Sequence, residues 1–230
     1  MSPGQVAAAV DSALENVGQK PDTRTFMSTY RGGFYDLGNP RAEDFNLNEA
    51  CEIVAGINRF NAASATLWSV GQHLLLCDRL AEALEIEAPH RVYVTLHDLH
   101  EAYIGDTTSR QQAAFDWAIR RYLAGDAVFT RARKFLAGRW DDAIYRALGL
   151  VAPDDAALAA VKRIDRLALA LEACAFFDKP ADLGIVDADL DDFPPRAMKL
   201  IDTVSATTPS PGRTAEALAA AIRRHAPNPV

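Results

Sequence analysis

Apolar residues recur every three or four positions through most of this chain, which is the spacing of one buried face of an α-helix. Between Ser69 and Glu87 this spacing joins Val70, His73, Cys77, Leu80 and Leu84. A second run from Pro153 to Phe177 joins Ala157, Val161, Ile164, Ala168 and Leu171. Similar patterns predict helices over 46–58, 94–105, 112–123, 127–136, 141–148, 198–204 and 214–225. The sequence therefore predicts an all-α fold.

Other segments carry weaker or different patterns. A small two-stranded hairpin is predicted from Thr25 to Leu37, with its turn at Gly32 and Gly33. A helix is predicted over 5–17, and a solvated acidic loop over 183–195. We expect an N-terminal extension over 1–45, a core over 46–178, and a C-terminal loop and helix over 179–230 that pack on that core.

The charge of the chain argues against some binding partners, and its cysteines indicate where in the cell it is found. The net charge of −7 argues against a protein that holds nucleic acid, or an anionic membrane surface, by phosphate contacts. Cys51, Cys77 and Cys174 lie far apart, which indicates reduced thiols and a cytoplasmic location. Residues 1–20 lack the pattern of a signal peptide, and the most apolar stretch, 167–177, is too short to span a bilayer.

The segment from Val94 to Asp106 carries an unusual polar face. We treat the segment as one helix that ends at Gly105 and measure angles around its axis from His97. Glu101 then lies at roughly 40° and Asp98 at roughly 100°. The opposite face is apolar: Val92, Leu96, Leu99 and Tyr103. Borderline divalent metals bind imidazole nitrogen together with carboxylate oxygen, and Glu101 is placed to handle protons on a metal-bound water. The alternative is a solvated polar face with one histidine satisfied in the core.

Two further residues could complete such a site. His73 lies in the middle of an apolar stripe, where it is either a core histidine with a backbone partner or a ligand. Asp165 lies at the edge of another stripe, where Arg166 or Lys162 could pair with it. Together with the His97-Asp98 doublet, these residues come from three helices and can converge on one ion. Two imidazoles and two carboxylates would leave positions open for water and substrate.

Five stretches of the chain resemble the HD-domain metal-dependent phosphohydrolases, and most closely their 5'-deoxynucleotidase-like branch. The matching stretches are 57–60, 69–73, 97–101, 105–106 and 161–167, within a region from about Asn48 to Phe177. The resemblance implies an HD-domain helical bundle. It also implies a small-molecule (deoxy)nucleotide substrate, and dimers are common among such relatives.

The resemblance assigns a role to each matching residue. The implied metal ligands are His73, His97, Asp98 and Asp165, holding one divalent ion: Mn, Co, Zn or Fe, with Mg as a further candidate. Glu101 and Asp106 would orient or activate the attacking water and assist the leaving oxygen. Arg59 would hold the substrate phosphate, a role that suits a guanidinium. Phe60 stands where the deoxynucleotidases usually have a Trp that packs near the sugar.

The chain departs from the family after Asp106. Prolines followed by a basic residue are common there, whereas this chain reads Thr107-Thr108-Ser109-Arg110. Two replacements are open: Arg110 takes the place of the basic residue, or Thr108 and Ser109 bind phosphate through their hydroxyls.

Three functions follow as expectations. The first is hydrolysis of the 5'-phosphate of a (deoxy)nucleoside monophosphate by a metal-activated water. The second is a deoxynucleoside triphosphohydrolase that releases triphosphate, for which Arg59, Arg110 and Lys162 are the candidate phosphate contacts. The third is a catalytically degenerate binding module that keeps the metal for structure.

Overall fold

The computed structural model describes residues 25–29, 33–123, 128–178 and 197–227, and these are mainly helical. The helices are α1 (Leu47–Gly56), α2 (Val70–Ala83), α3 (Ala88–Leu96), α4 (Glu101–Ile104), α5 (Ser109–Tyr122), α6 (Phe129–Ala147), α7 (Asp155–Phe176), α8 (Met198–Thr207) and α9 (Pro211–His225). Short 3-10 turns cover Ala42–Asp44 and Arg59–Ala62. The predicted all-α class is confirmed. None of the described helices is long and apolar enough to cross a membrane.

The N-terminal hairpin is also confirmed. Strand β1 (Phe26–Ser28) pairs antiparallel with β2 (Phe34–Asp36), and Met27 lies opposite Tyr35. Tyr35 is buried and packs edge-on against Tyr103 and Trp140, with ring centroids 5.2 and 5.5 Å apart. The hairpin is thus anchored to the helices. The predicted helix over 5–17 and the predicted loop over 183–195 lie outside the described residues, and the domain boundaries at 45 and 178 stay a prediction.

Helices α2, α3 and α7 form the centre of the core, and α9 lies across α1, α2 and α3. Close approach of α1, α2 and α9 depends on Gly71. A Cβ at this position would lie 2.9 Å from Cγ2 of Thr214 and 3.1 Å from Cα of Ala55. Both distances are shorter than ordinary van der Waals contact, so glycine is what permits this packing.

The prediction of one continuous helix over 94–105 is wrong at residues 97–100. These residues form turns between α3 and α4. The amide of Leu99 donates to the carbonyl of Leu96 at 2.8 Å, and that of Glu101 to Asp98 at 3.0 Å. Both bonds span three residues, so the chain is wound more tightly than an α-helix and the 100° spacing does not hold. Gly105 ends the segment as predicted, at φ 72°.

Smaller differences occur at other helix ends. The helices predicted over 127–136 and 141–148 are one helix, α6, which runs through Gly138. A Cβ at Gly138 would meet no atom within 4 Å, so this glycine lies on an open face and does not interrupt the helix. The helix that begins after Ser69 ends at Ala83, short of Glu87.

Candidate metal centre

Three parts of the fold bring the four predicted ligands together: α2 carries His73, the turn after α3 carries His97 and Asp98, and α7 carries Asp165. Nε2 of His73 lies 3.3 Å from Nε2 of His97 and 3.3 Å from Oδ1 of Asp165. Nε2 of His97 lies 3.3 Å from Oδ2 of Asp98 and 3.6 Å from Oδ1 of Asp165. All four ligand atoms lie within 4.8 Å of one another.

These separations fit a metal ion. Bonds of about 2.1 Å place neighbouring ligand atoms about 3.0 Å apart in an octahedral site and about 3.4 Å apart in a tetrahedral one. The hydrogen bonds of the histidines fit as well. Nδ1 of His73 donates to Glu172 at 2.7 Å, and Nδ1 of His97 donates to the carbonyl of Val94 at 2.8 Å. Each neutral imidazole therefore carries its proton on Nδ1 and presents the lone pair of Nε2 to the cluster.

Four lone-pair donors facing one another require positive charge between them. Burial works to lower the pKa of both histidines, and Arg59 also works to lower that of His73. Cys77 and the nearby carboxylates outweigh these effects and raise both pKa values well above the usual range. Either protons or a bound cation can supply the charge. The structure thus contains a His and Asp cluster that is able to hold a metal ion.

His73 and Asp165 both make side-chain contacts within the cluster. His73 is fully buried, but its partner is the carboxylate of Glu172 and not a backbone group. Asp165 contacts His73 and His97. Lys162 is exposed.

Glu172 is a site residue that sequence reasoning missed. Its side chain is fully buried on α7. One carboxylate oxygen accepts from Nε1 of Trp68 at 2.8 Å and from His73, while the other accepts from Nε of Arg59 at 3.1 Å. Burial works to raise the pKa of Glu172, but Arg59 and His73 outweigh it and lower this pKa. A lone Glu in the apolar stretch 167–177 was the available signal, because a buried charge must find partners.

Arg59 connects this network to the metal ligands. Its Nη1 lies 3.5 Å from Oδ2 of Asp98, and 11% of its side chain is exposed. The chain around it is fixed by two backbone bonds: the amide of Arg59 donates to Trp68, and that of Val70 to Ile57. Residues 60–62 then adopt φ values between 55° and 58°, a left-handed conformation that costs energy outside glycine and often marks functional sites.

An apolar wall adjoins Arg59. Phe60 packs edge-on against Phe177, with ring centroids 5.1 Å apart. The guanidinium carbon of Arg59 lies 5.3 Å from the ring centroid of Phe60. Apolar rings beside a buried cation suit a ligand that has both an aromatic and an anionic part.

The two predicted catalytic acids, Glu101 and Asp106, lie near Asp98 and Arg59. Glu101 is buried, and its Oε1 accepts from Nη2 of Arg133 at 3.2 Å. Burial, with Asp98 and Asp106 nearby, raises the pKa of Glu101 to about 9. Burial also raises the pKa of Asp106, again with Asp98 adding to it, against the opposing charges of Arg59 and Arg133. Arg133 is the second site residue that sequence reasoning missed, because it lies far along the chain on α6.

A cleft of about 670 Å³ opens above the ligands. Its lining includes all six predicted catalytic and substrate-binding residues: Arg59, Phe60, Glu101, Asp106, Thr108 and Arg110. Lys162 is not part of the lining, whereas Arg133 and Lys134 are. The hydroxyl of Thr108 accepts from the amide of Gln111 at 3.2 Å and caps α5. Thr108 thus has a structural role at the N-terminus of the helix that borders the cleft.

Comparison with known proteins adds no further assignment. No model of a protein family matches the chain, and no curated protein matches it with significance.

Proposed function

We propose that this protein is a metal-dependent phosphohydrolase that cleaves the 5'-phosphate of (deoxy)nucleoside monophosphates. One observation carries the proposal: two histidines and two aspartates converge, and the two aspartates line a cleft whose walls also carry a buried arginine and two further acids. A structural site would use all its coordination positions on protein ligands, whereas this cluster faces a cleft large enough for a nucleotide.

The proposed cofactor is one divalent ion: Mn, Co, Zn or Fe, with Mg as a further candidate, since such ions bind imidazole nitrogen and carboxylate oxygen. His73, His97, Asp98 and Asp165 would hold it, and it would polarise a phosphoryl oxygen and make a bound water more acidic. Arg59 would offer guanidinium N–H groups to the phosphoryl oxygens. Glu101 and Asp106 would accept and return protons at the attacking and leaving oxygens.

The rings of Phe60 and Phe177 would form the side of the cleft that receives the nucleoside. Apolar faces stack with either a base or a sugar without a fixed hydrogen-bond pattern. The proposal therefore assigns the phosphate end to Arg59 and the metal ligands, and the nucleoside end to the two rings.

The test is release of orthophosphate from a panel of deoxy- and ribonucleoside monophosphates, each with Mn²⁺, Co²⁺, Zn²⁺ and Mg²⁺. We expect orthophosphate with at least one metal, and none from a variant that combines His97→Ala and Asp98→Ala. His90→Ala is the matched control, because His90 pairs with Asp154 outside the site. Absence of product with every metal would contradict the proposal and favour a binding module.

A triphosphohydrolase is the second candidate, and one observation favours it. In the part of the chain that the structure describes, four basic residues line the cleft: Arg59, Arg110, Arg133 and Lys134. Arg59 and Arg133 pair with buried carboxylates, which neutralise part of their charge and leave less of it for phosphates beyond the first. Monophosphates therefore remain the first proposal. Including deoxynucleoside triphosphates in the panel, and detecting triphosphate as a product, separates the two activities.

A further inference from the structure

Arg133 joins two parts of the site that the sequence does not connect. Its Nη2 donates to Oε1 of Glu101 at 3.2 Å and to the carbonyl of Gly105 at 2.7 Å. The side chain is mostly buried, with 14% exposed. A guanidinium at this place puts positive charge beside Glu101 and near Asp106.

The two acceptors of Arg133 stand at either end of α4. Glu101 is the first residue of this short helix, and Gly105 follows its last residue and leads directly into Asp106. A helix of four residues has little stability of its own. One side chain from α6 therefore fixes the segment that carries both proposed acid–base groups.

The contact also decides which oxygen of Glu101 is free. Oε1 is bound by Arg133, while Oε2 is buried and has no hydrogen-bond partner among the described residues. Because a buried acceptor without a donor is unfavourable, Oε2 is suited to a donor that arrives with the reaction. The attacking water is such a donor.

We propose that Arg133 is a positioning residue for the hydrolysis described above: it holds Glu101 through Oε1 and thereby directs Oε2 to the attacking water. The proposal rests on the proposed function. Arg133 acts through Glu101 and does not need to contact the substrate, so its loss affects turnover more than substrate binding.

The experiment compares Arg133→Gln and Arg133→Lys with Arg131→Gln, an equivalent change at an exposed arginine on the same helix. Displacement of a catalytic group by about 1 Å costs on the order of 100-fold in rate. We expect Arg133→Gln to lower kcat by about 10- to 100-fold with little change in KM. Arg133→Lys keeps one donor and is expected to recover part of the loss, and Arg131→Gln to match the natural protein.

Amide hydrogen exchange over residues 101–108 gives a readout that does not depend on turnover. Faster exchange there in Arg133→Gln, with unchanged exchange in α2 and unchanged Mn²⁺ affinity, supports the positioning role. A raised KM with unchanged kcat would overturn the proposal, because it would place Arg133 on the substrate. Unchanged exchange over 101–108 would overturn it as well. If the natural protein hydrolyses no nucleotide, the proposed function fails. The exchange measurement still tests whether Arg133 holds the segment that carries Glu101.

Discussion

Glu172→Gln removes a buried negative charge from the centre of the site and leaves the side chain almost the same size. The carboxylate accepts hydrogen bonds from three donors, on Trp68, His73 and Arg59. An amide has one acceptor oxygen and places N–H donors where the second oxygen was. At least one of the three donors therefore faces another donor, and Arg59 loses its buried counter-charge.

The size of the effect follows from these contacts. Removing one partner of a buried ion pair costs about 3–5 kcal/mol. Since the amide oxygen keeps one or two of the hydrogen bonds, we expect the free energy of unfolding to fall by about 3 kcal/mol, at the lower end of that range. Loss of the carboxylate that orients a metal-binding histidine lowers metal affinity by about 10- to 100-fold. We expect the same for Mn²⁺ here.

Urea denaturation without metal measures the first effect, and titration calorimetry with Mn²⁺ measures the second. Glu49→Gln is the matched control, because Glu49 is also buried but lies on α1 away from the ligands. A folded Glu172→Gln variant whose Mn²⁺ dissociation constant stays within about twofold of the natural value would refute the reasoning. In that case His73 would be held by its packing alone.

Three further predictions concern stability. Gly71→Ala should lower the free energy of unfolding by about 1–3 kcal/mol, because the new Cβ would lie 2.9 Å from an atom of α9 and 3.1 Å from an atom of α1. Gly138→Ala, where the new Cβ meets no atom within 4 Å, should raise it by up to about 1 kcal/mol. Urea denaturation measures both changes. Asp78 is buried against His225 and an arginine of α9, and these partners lower its pKa despite burial. The charged Asp78 therefore stabilises the fold above its ordinary pKa of 3.8, and this stabilisation is lost as pH falls below that value. Asp78→Asn should lower the free energy of unfolding by about 3 kcal/mol at pH 7 and progressively less in acid, as measured by urea denaturation at each pH. Mn²⁺ at about 100 times its dissociation constant should raise the free energy of unfolding by about 2.7 kcal/mol, and a chelator should reverse this. The variant that lacks the His-Asp doublet should show no such gain.

Local patterns were sufficient to predict the His and Asp cluster. His73 interrupts an apolar stripe, and His97 and Asp98 are adjacent, so residue type and spacing alone indicated a cluster on buried helix faces. The structure brings these residues and Asp165 together as expected. Burial of an apolar stripe fixes which face of a helix points towards the core. The polar residues that lie on the stripe therefore point towards the core as well.

Long-range partners were not predictable in the same way. Glu172 and Arg133 reach the site from residues 99 and 32 positions away from the groups that they bind. Nothing in their own neighbourhoods specifies those partners. The prediction of a continuous helix through residues 97–100 was wrong for a related reason. Local sequence distinguishes poorly between hydrogen bonds that span three residues, as in a 3-10 turn, and bonds that span four, as in an α-helix, so tertiary packing selects between them.

The contrast between Glu172 and Glu101 shows how one cluster can contain both an anchor and an acid–base group. Both are buried carboxylates, yet the pKa of Glu172 is lowered and that of Glu101 is raised to about 9. Among the described residues, three donors bind Glu172, whereas Arg133 is the one hydrogen-bond donor to Glu101, which also has two anionic neighbours. A cation bound by the four ligands would draw the pKa of Glu101 downwards, towards the range in which a carboxylate exchanges protons at neutral pH. Because their environments are opposite, Glu172 can stay charged and hold His73, while Glu101 can take up and release a proton.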